Sequence, residues 1–265
     1  MAARLEGTPC WADAMFTDLE GAKAFYGDVL GWTFSESSSE FGNYTQAYSD
    51  GKAVAAVVPP MPGQETQSAW CLYFASPDAA ATADRIRANG GEVLMGPLQV
   101  GDFGTMVIGK DPGGVAFGVW QAGRHEGFEK QGAPGSYTWA EVLTRDPGKA
   151  DSFFPAVFPF SVKRMDTDQV DYKIFHVHGA PVLGRMKMGP DDLPPDVPSY
   201  VSVYFAVDDC DATVARATER GGTLHFGPMD SPFGRFAAIG DPQGAAFGVI
   251  DLGKTSGDLP VMADA

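Results

Sequence analysis

The chain has no apolar run long enough to cross a bilayer: nothing approaches the roughly 18 unbroken apolar residues of a spanning helix. Met1 to Pro9 also lack the apolar stretch of a secretion signal, so a soluble cytoplasmic protein is the expectation. Cysteine is scarce (Cys10, Cys71 and Cys210), and no two stand at metal-ligand spacing. That excludes a disulfide framework and fits a reducing compartment. Basic residues are few as well, with 19 Lys and Arg against 34 Asp and Glu, for a formal charge of −15. Such a surface repels polyanions, which leaves nucleic acid and anionic membrane as poor partners. The acids are dispersed and form no tail-like run. Glycine-rich phosphate loops, nucleophile elbows and triad spacings are missing too. What is present is a 265-residue chain, 44% hydrophobic, with ample material for a core.

That chain repeats itself. Trp11-Ala12 returns as Trp139-Ala140, Asp18 as Asp146, Phe25 as Phe153, Tyr44 as Tyr172 and Gly51 as Gly179, each 128 residues on. Further along, Tyr73-Phe74 returns as Tyr204-Phe205, Gly90-Gly91 as Gly221-Gly222, and Phe103-Gly104 as Phe233-Gly234. The stretch from Asp111 to Val119 returns from Asp241 to Val249, now 130 residues on. The chain therefore divides into a first module at 1–120, a polar linker at 121–134, a second module at 135–252 and a tail at 253–265. Two Pro-rich stretches, 59–68 and 189–198, fall at equivalent places and would join smaller units within each module.

Each half reads as β-α-β-β-β taken twice. In the first, Cys10 to Phe16 is a short strand and Asp18 can cap a helix from Leu19 to Leu30 that Gly31 ends. Ala22, Phe25, Tyr26 and Val29 share one face of that helix, as packing on a sheet requires. Strands follow near 32–35, 44–48 and 53–58, with Asp50-Gly51 as the hairpin turn. A strand from Trp70, a helix at 78–88 and strands near 92–94, 105–109 and 115–120 complete the half, and the second half repeats the plan with helices near 149–157 and 209–220. The fold class is α+β: four βαβββ units, with curved, mostly antiparallel sheets and helices on the outer faces.

The opening phrase WADAMFTDLEGAKAFYGDVLGW, the Val207-Asp208-Asp209-Cys210-Asp211 phrase and the Asp-Pro-x-Gly turn before an apolar strand resemble the glyoxalase/bleomycin-resistance/dioxygenase (vicinal oxygen chelate) superfamily, in both halves. The resemblance implies glyoxalase-like modules whose paired units wrap into a cup holding a small ligand. In metal-dependent members the cup carries ligands on its first, fifth and eighth strands. Those positions fall here on Trp11, Cys71 and Gly118, and on Trp139, Ser202 and Gly248. Tryptophan and glycine supply no donor for a divalent cation, and one thiol cannot make a site alone. No metal or other cofactor is expected.

Alternate strand residues share a face. With Trp11 in the cup, Asp13 and Met15 join it; with Trp139, Glu141 and Leu143 do. Cys71 and Tyr73, or Ser202 and Tyr204, face in from the fifth strands, and Gly118 and Trp120, or Gly248 and Ile250, from the eighth. The glycines would leave room for a flat ligand to reach the backbone. Trp11 and Trp139 can serve equally as core filler or as a ligand platform, whereas Tyr73 and Tyr204 read first as structural and second as ligand contacts. Asp13 and Glu141 are costly to bury unpaired, so each is either functional or matched to a base. His176-x-His178 reads as a surface hairpin, Arg185 and Lys187 as a solvated strand edge, and His125 as an incidental linker residue.

A metal-independent binding protein is the function expected, a monomer or homodimer that sequesters or carries an aromatic or electrophilic metabolite. The alternative is an enzyme of the same superfamily, a glyoxalase-type lyase or hydroxylase-like. Its catalytic base would be Asp13 or Glu141 and its proton donor Tyr73 or Tyr204. A third reading is an interaction protein with vestigial cups.

Overall fold

The computed structural model describes residues 4–37, 39–60, 68–166, 170–189 and 197–265. The central parts of both Pro-rich stretches, 61–67 and 190–196, lie outside those residues. The first module runs β1 (Pro9–Met15), α1 (Leu19–Leu30), β2 (Thr33–Phe34), β3 (Thr45–Ser49), β4 (Lys52–Val58), β5 (Trp70–Ala75), α2 (Ala79–Ala88), β6 (Glu92–Val100), β7 (Gly104–Lys110) and β8 (Ala116–Ala122). The second runs β9 (Tyr137–Thr144), α3 (Pro147–Val157), β10 (Ser161–Met165), β11 (Tyr172–Val177), β12 (Ala180–Lys187), β13 (Tyr200–Ala206), α4 (Cys210–Glu219), β14 (Thr223–Ser231), β15 (Gly234–Gly240), β16 (Ala246–Asp251) and a short extra strand, β17 (Met262–Asp264). The four βαβββ units are thus present, in two glyoxalase-like modules. Among the described residues no helix is long and apolar enough to cross a membrane.

Each helix starts where an aspartate can cap it. Asp18 accepts from the Gly21 amide at 2.9 Å, Asp78 from Ala81 at 3.0 Å, Asp146 from Lys149 at 3.4 Å and Asp209 from Ala212 at 3.0 Å. The first helix closes on Gly31 in the left-handed region, φ 72°.

Within the first module the sheet order is β2-β3-β4-β1-β5-β8-β7-β6. β1 and β5 meet antiparallel at its centre, and each pairs parallel with the last strand of its own unit, β4 or β8. The second module repeats that order and adds β17 beside β10 at the edge. Residues 253–265 are therefore more than a tail: the Ser256 amide donates to Ser231 O at 2.8 Å at the β14 end, and Asp166 N donates to Val261 O at 2.9 Å beside β10. The segment 256–261 straps one edge of the sheet to the other.

The modules dock through the outer faces of their sheets, α1 against α4 and α2 against α3. Trp32 and Trp70 each stand edge-on to Phe205 at 5.1 Å, and Phe117 packs on Phe153 at 5.9 Å and Phe154 at 5.5 Å. The repeated Gly-Gly pairs make room for this: a Cβ on Gly91 would meet Phe153 at 2.7 Å and one on Gly222 would meet Phe25 at 3.2 Å. Polar contacts cross as well, with Tyr26 donating to Asp241 at 2.8 Å and Trp32 Nε1 to Gly135 O at 2.7 Å. The 121–134 stretch is pinned rather than loose. Its Gly123 amide donates to Phe103 O at 2.8 Å, Phe128 to Cys10 O at 2.7 Å and Glu129 to Ala53 O at 2.8 Å.

Arg185 and His176 lie deeper than their sequence context suggests. Arg185 is no solvated edge: β12 lies between β9 and β11, and the side chain is fully buried. It is fixed there by Asp151 at 2.8 and 3.0 Å and by Asp171 at 2.6 Å. The His176–His178 hairpin is only half exposed. His178 occupies the turn at φ 50°, but His176 is buried, its Nδ1 3.1 Å from Ile174 O.

Candidate functional site

The second cup shows the arrangement at its tightest. Glu141 projects from β9, and the Tyr172 hydroxyl on β11 donates to its Oε1 at 2.6 Å. The Tyr204 hydroxyl on β13 donates to Oε2 at 2.9 Å. Trp139, two residues before Glu141 and on the same face, donates its Nε1 to the Tyr172 oxygen at 3.2 Å. Burial raises the Glu141 carboxyl above the usual range, and the donated hydrogen bonds pull it partway back. Burial and the neighbouring Glu141 charge together push both tyrosines well above the ordinary phenol value.

The first cup carries the same set from the same places. Asp13 on β1 accepts from Tyr44 at 3.3 Å, and Trp11 Nε1 donates to the Tyr44 oxygen at 2.6 Å. Tyr73, on β5 opposite Trp11, presents its hydroxyl to the same carboxyl. Aspartate is one methylene shorter than glutamate, and its hydrogen bond to Tyr44 is correspondingly long. Burial pushes the Asp13 carboxyl up to about 7, with the Tyr73 and Tyr44 hydroxyls opposing that shift. Near neutral pH this group exchanges its proton.

The eighth strands supply space. A Cβ on Gly118 would stand 2.2 Å from Tyr73 Cδ1, and one on Gly248 2.2 Å from Tyr204 Cδ1. The room at each glycine is filled by the tyrosine ring and not left open to a ligand, so the sequence-based reason for these glycines is corrected. Their function is to let the ring lie flat against the strand and aim its hydroxyl at the carboxyl.

Beyond the carboxyls, each cup has an apolar wall. In the second, Phe226 and Met229 of β14 pair with Ala238 and Phe236 of β15, which pair with Gly248 and Ile250. Cross-strand partners share a face, so this wall stands on the Tyr204 side, where Phe236 is 6.5 Å from the Tyr204 ring. Phe226 is 50% exposed and Met229 44%. In the first cup Leu98 pairs with Met106, which pairs with Trp120, and Leu98 is 47% exposed. Large apolar side chains are thus left exposed on the carboxyl-bearing face of each sheet. Two open clefts of about 360 and 290 Å³ lie instead at the module boundary, beside the N-termini of α3 and α1, and neither includes a cup carboxyl.

Residues 11–119 and 136–249 each match the model of the Glyoxalase/Bleomycin resistance protein/Dioxygenase superfamily. The chain belongs to that superfamily. It is 38% identical to the anthracycline biosynthesis protein DauV of Streptomyces sp. (strain C5), with 97% of each chain covered. Among solved structures, the Mn(II)-bound glyoxalase from Novosphingobium aromaticivorans superposes with a TM-score of 0.64 at 17% identity, covering 95% of this chain and 86% of that one. The 2,3-dioxygenase LapB from Pseudomonas sp. KL28 does so with 0.65 at 13% identity, covering 97% and 95%. These two likenesses describe the fold.

The superfamily's metal chemistry is a poor fit to these side chains. At the three ligand positions of the first cup stand Trp11, whose indole nitrogen is a donor only, Cys71, and Gly118 with a tyrosine ring over it. The second cup has Trp139, Ser202 and Gly248 there. Burial raises the Cys71 thiol well above its ordinary value, which opposes the thiolate a metal requires. No group of three or more His, Cys, Asp or Glu able to hold a metal occurs among the described residues.

Of the sequence candidates, Trp11, Asp13 and Tyr73 come together in one cup, and Trp139, Glu141 and Tyr204 in the other. Gly118 and Gly248 lie directly behind the tyrosines. Met15, half-buried, is one strand step beyond Asp13, and Trp120 is buried, its Nε1 donating to His125 O at 2.8 Å. Sequence reasoning missed Tyr44 and Tyr172 as parts of the site, although the repeat aligns them with each other. It also set aside His125, whose ring packs edge-on to Trp11 at 4.4 Å.

Proposed function

We propose that this chain binds planar hydroxyaromatic compounds, one in each cup, without a metal ion. The observation that carries the reading is the duplicated cluster in which a partly buried carboxyl is flanked by two tyrosine hydroxyls above an open apolar wall. A flat ring system packs on the wall while its hydroxyl joins the carboxyl network, which orients it. The name of the DauV relative contains the words anthracycline biosynthesis, and anthracyclines are polycyclic hydroxyquinones, a chemistry these cups suit. Sequestering or carrying such a compound uses every feature of the cluster and asks for no nucleophile.

One observation favours an enzymatic reading beside it. A carboxyl that burial pushes up to about 7 is poised as a general base, and Tyr73 stands next to it as a proton donor. The first cup would then move a proton on the bound phenol or on a carbon beside its carbonyl.

Calorimetric titration with 2-hydroxyanthraquinone and its isostere 2-methylanthraquinone tests the binding reading. The expected result is a preference for the hydroxyl compound of about tenfold or more, because the methyl group leaves the carboxyl network unpaired. That preference should disappear in the Asp13→Leu, Glu141→Leu double variant. Equal affinity for the two compounds, or no binding of either, would rule the proposal out. Turnover abolished by Asp13→Asn with affinity retained would favour the enzyme.

A further inference from the structure

The two cups carry one cluster but differ in what faces it, and the difference is a histidine from the segment joining the modules. His125 lies beyond the end of β8. Its amide donates to Phe103 O at 3.1 Å and its carbonyl accepts from Trp120 Nε1 at 2.8 Å, which fixes the backbone on both sides of the ring. The ring stands edge-on to Trp11 at 4.4 Å and near Trp120 at 5.8 Å. Trp11 shares the cup face with Asp13, and Trp120 shares it with Gly118 and hence with Tyr73. The imidazole therefore sits within the cup, at the layer where Tyr73 pairs with Trp11.

Its Nε2 is buried and has no hydrogen-bond partner. A buried polar nitrogen left unpaired is costly, and in native proteins such an atom is ordinarily paired with a water, an ion or a ligand. Burial, with a smaller contribution from the Arg4 charge, brings the imidazole down to about 4 against the opposing pull of Glu129, so it is neutral at physiological pH. A neutral imidazole pairs with a hydroxyl or carbonyl and does not select an anion.

Among the described residues the second cup has no counterpart. After β16 the chain turns at Asp251–Lys254, and Thr255 pairs with Ser231 at the sheet edge. Trp139 consequently remains partly exposed, whereas Trp11, beneath His125 and Phe128, is only 3% exposed. The second cup thus presents a partly exposed indole, and the first a covered indole beside an unpaired imidazole nitrogen.

We propose that His125 is a ligand-contacting, specificity-determining residue of the first cup, selecting a ring system that is polar at both ends. One end of the ligand enters the Asp13 network and a second hydroxyl, at the far end of the ring system, pairs with His125 Nε2. The second cup, lacking the histidine, accepts ligands with a single polar end. This inference rests on the proposed binding of hydroxyaromatics.

The test compares 2,6-dihydroxyanthraquinone with 2-hydroxyanthraquinone on the full chain, with the second cup silenced by Glu141→Leu. The expected result is that the first cup prefers the diol by about tenfold and that His125→Phe removes the preference, weakening diol binding by about tenfold more than it changes binding of the mono-hydroxy compound. A companion measurement needs no substitution at the site. In ¹⁵N-histidine-labelled protein the His125 Nε2 resonance should shift on adding the diol and stay in place on adding the mono-hydroxy compound. An unchanged diol preference in His125→Phe, together with an unmoved Nε2 resonance, would overturn the assignment and leave hydroxyaromatic binding standing. An Nε2 resonance that already reports a bound water, and is untouched by either compound, overturns it as well. Failure of both compounds to bind would remove the functional reading and this inference together.

Discussion

Tyr26 donates a 2.8 Å hydrogen bond to Asp241 across the module boundary, and its repeat counterpart Phe154 has no hydroxyl to give to Asp111. The rings sit alike: Tyr26 is 5.4 Å from Phe247 and Phe154 is 5.5 Å from Phe117. Asp111 Oδ2 is buried and unpaired as a result. Phe154→Tyr should therefore stabilise the protein by about 1 kcal/mol, raising the unfolding midpoint by a few degrees. Tyr26→Phe should cost about 1–3 kcal/mol, since Asp241 and Trp70 Nε1 both lose a partner. Calorimetric melting of the two variants checks both signs at once.

Adding a single methyl group at either eighth-strand glycine should disturb the cup. A Cβ on Gly118 or Gly248 would overlap a tyrosine ring at 2.2 Å, and overpacking of this kind costs about 1–3 kcal/mol. Gly118→Ala and Gly248→Ala should also push the Tyr73 or Tyr204 hydroxyl off its carboxyl. Urea unfolding measures the first effect. Loss of the preference for 2-hydroxyanthraquinone over 2-methylanthraquinone measures the second.

The buried ion cluster of the second module should respond sharply to losing an acid. Asp151 takes two hydrogen bonds from Arg185, which is fully buried, and a third contact from Lys173 at 3.0 Å. Asp151→Ala takes two hydrogen bonds from a buried guanidinium, leaving it only Asp171, and should cost about 3–5 kcal/mol, whereas Arg185→Met, Asp151→Leu together should cost less. Chemical denaturation of the single and double variants separates a broken pair from a replaced one.

Asp13 should give stability a specific pH dependence. Burial raises its carboxyl from 3.8 to about 7 in the folded chain, so the folded state holds this proton more tightly than the unfolded state does. Its contribution is greatest below the unfolded value, is lost as pH rises towards 7, and is flat above that. Asp13→Asn should remove the slope and leave the variant more stable than the parent at pH 8, by about 1–4 kcal/mol. Unfolding at pH 5 and pH 8 for both proteins decides it.

Much of this was readable from the repeat. The βαβββ order, the aspartate caps and the helix from Leu19 to Leu30 followed from self-similarity and period. So did the placing of Asp13 and Glu141 on one strand face with the tryptophans. Tyr44 and Tyr172 escaped because pairing across a curved sheet, 31 residues from the carboxyl they serve, leaves no local pattern. Arg185 escaped for a similar reason, its acids lying 34 and 14 residues away. His125 has no repeat partner, so the comparison that exposed the other site residues was blind to it. The strap at 256–261, Ser-Gly-Asp-Leu-Pro-Val, carries no strand or helix period, and the three-residue strand that follows it pairs with the otherwise free β10 edge.

Metal-free binding of hydroxyaromatics through a carboxyl and tyrosines is tested most directly by one titration. Chelator-treated protein is titrated with 2-hydroxyanthraquinone, whose hydroxyl is too far from its carbonyls to chelate, before and after adding Mn²⁺. Saturable binding of equal affinity in both conditions is the predicted result. Binding that appears only with the metal, accompanied by a saturable metal-induced rise in the melting temperature, would contradict it.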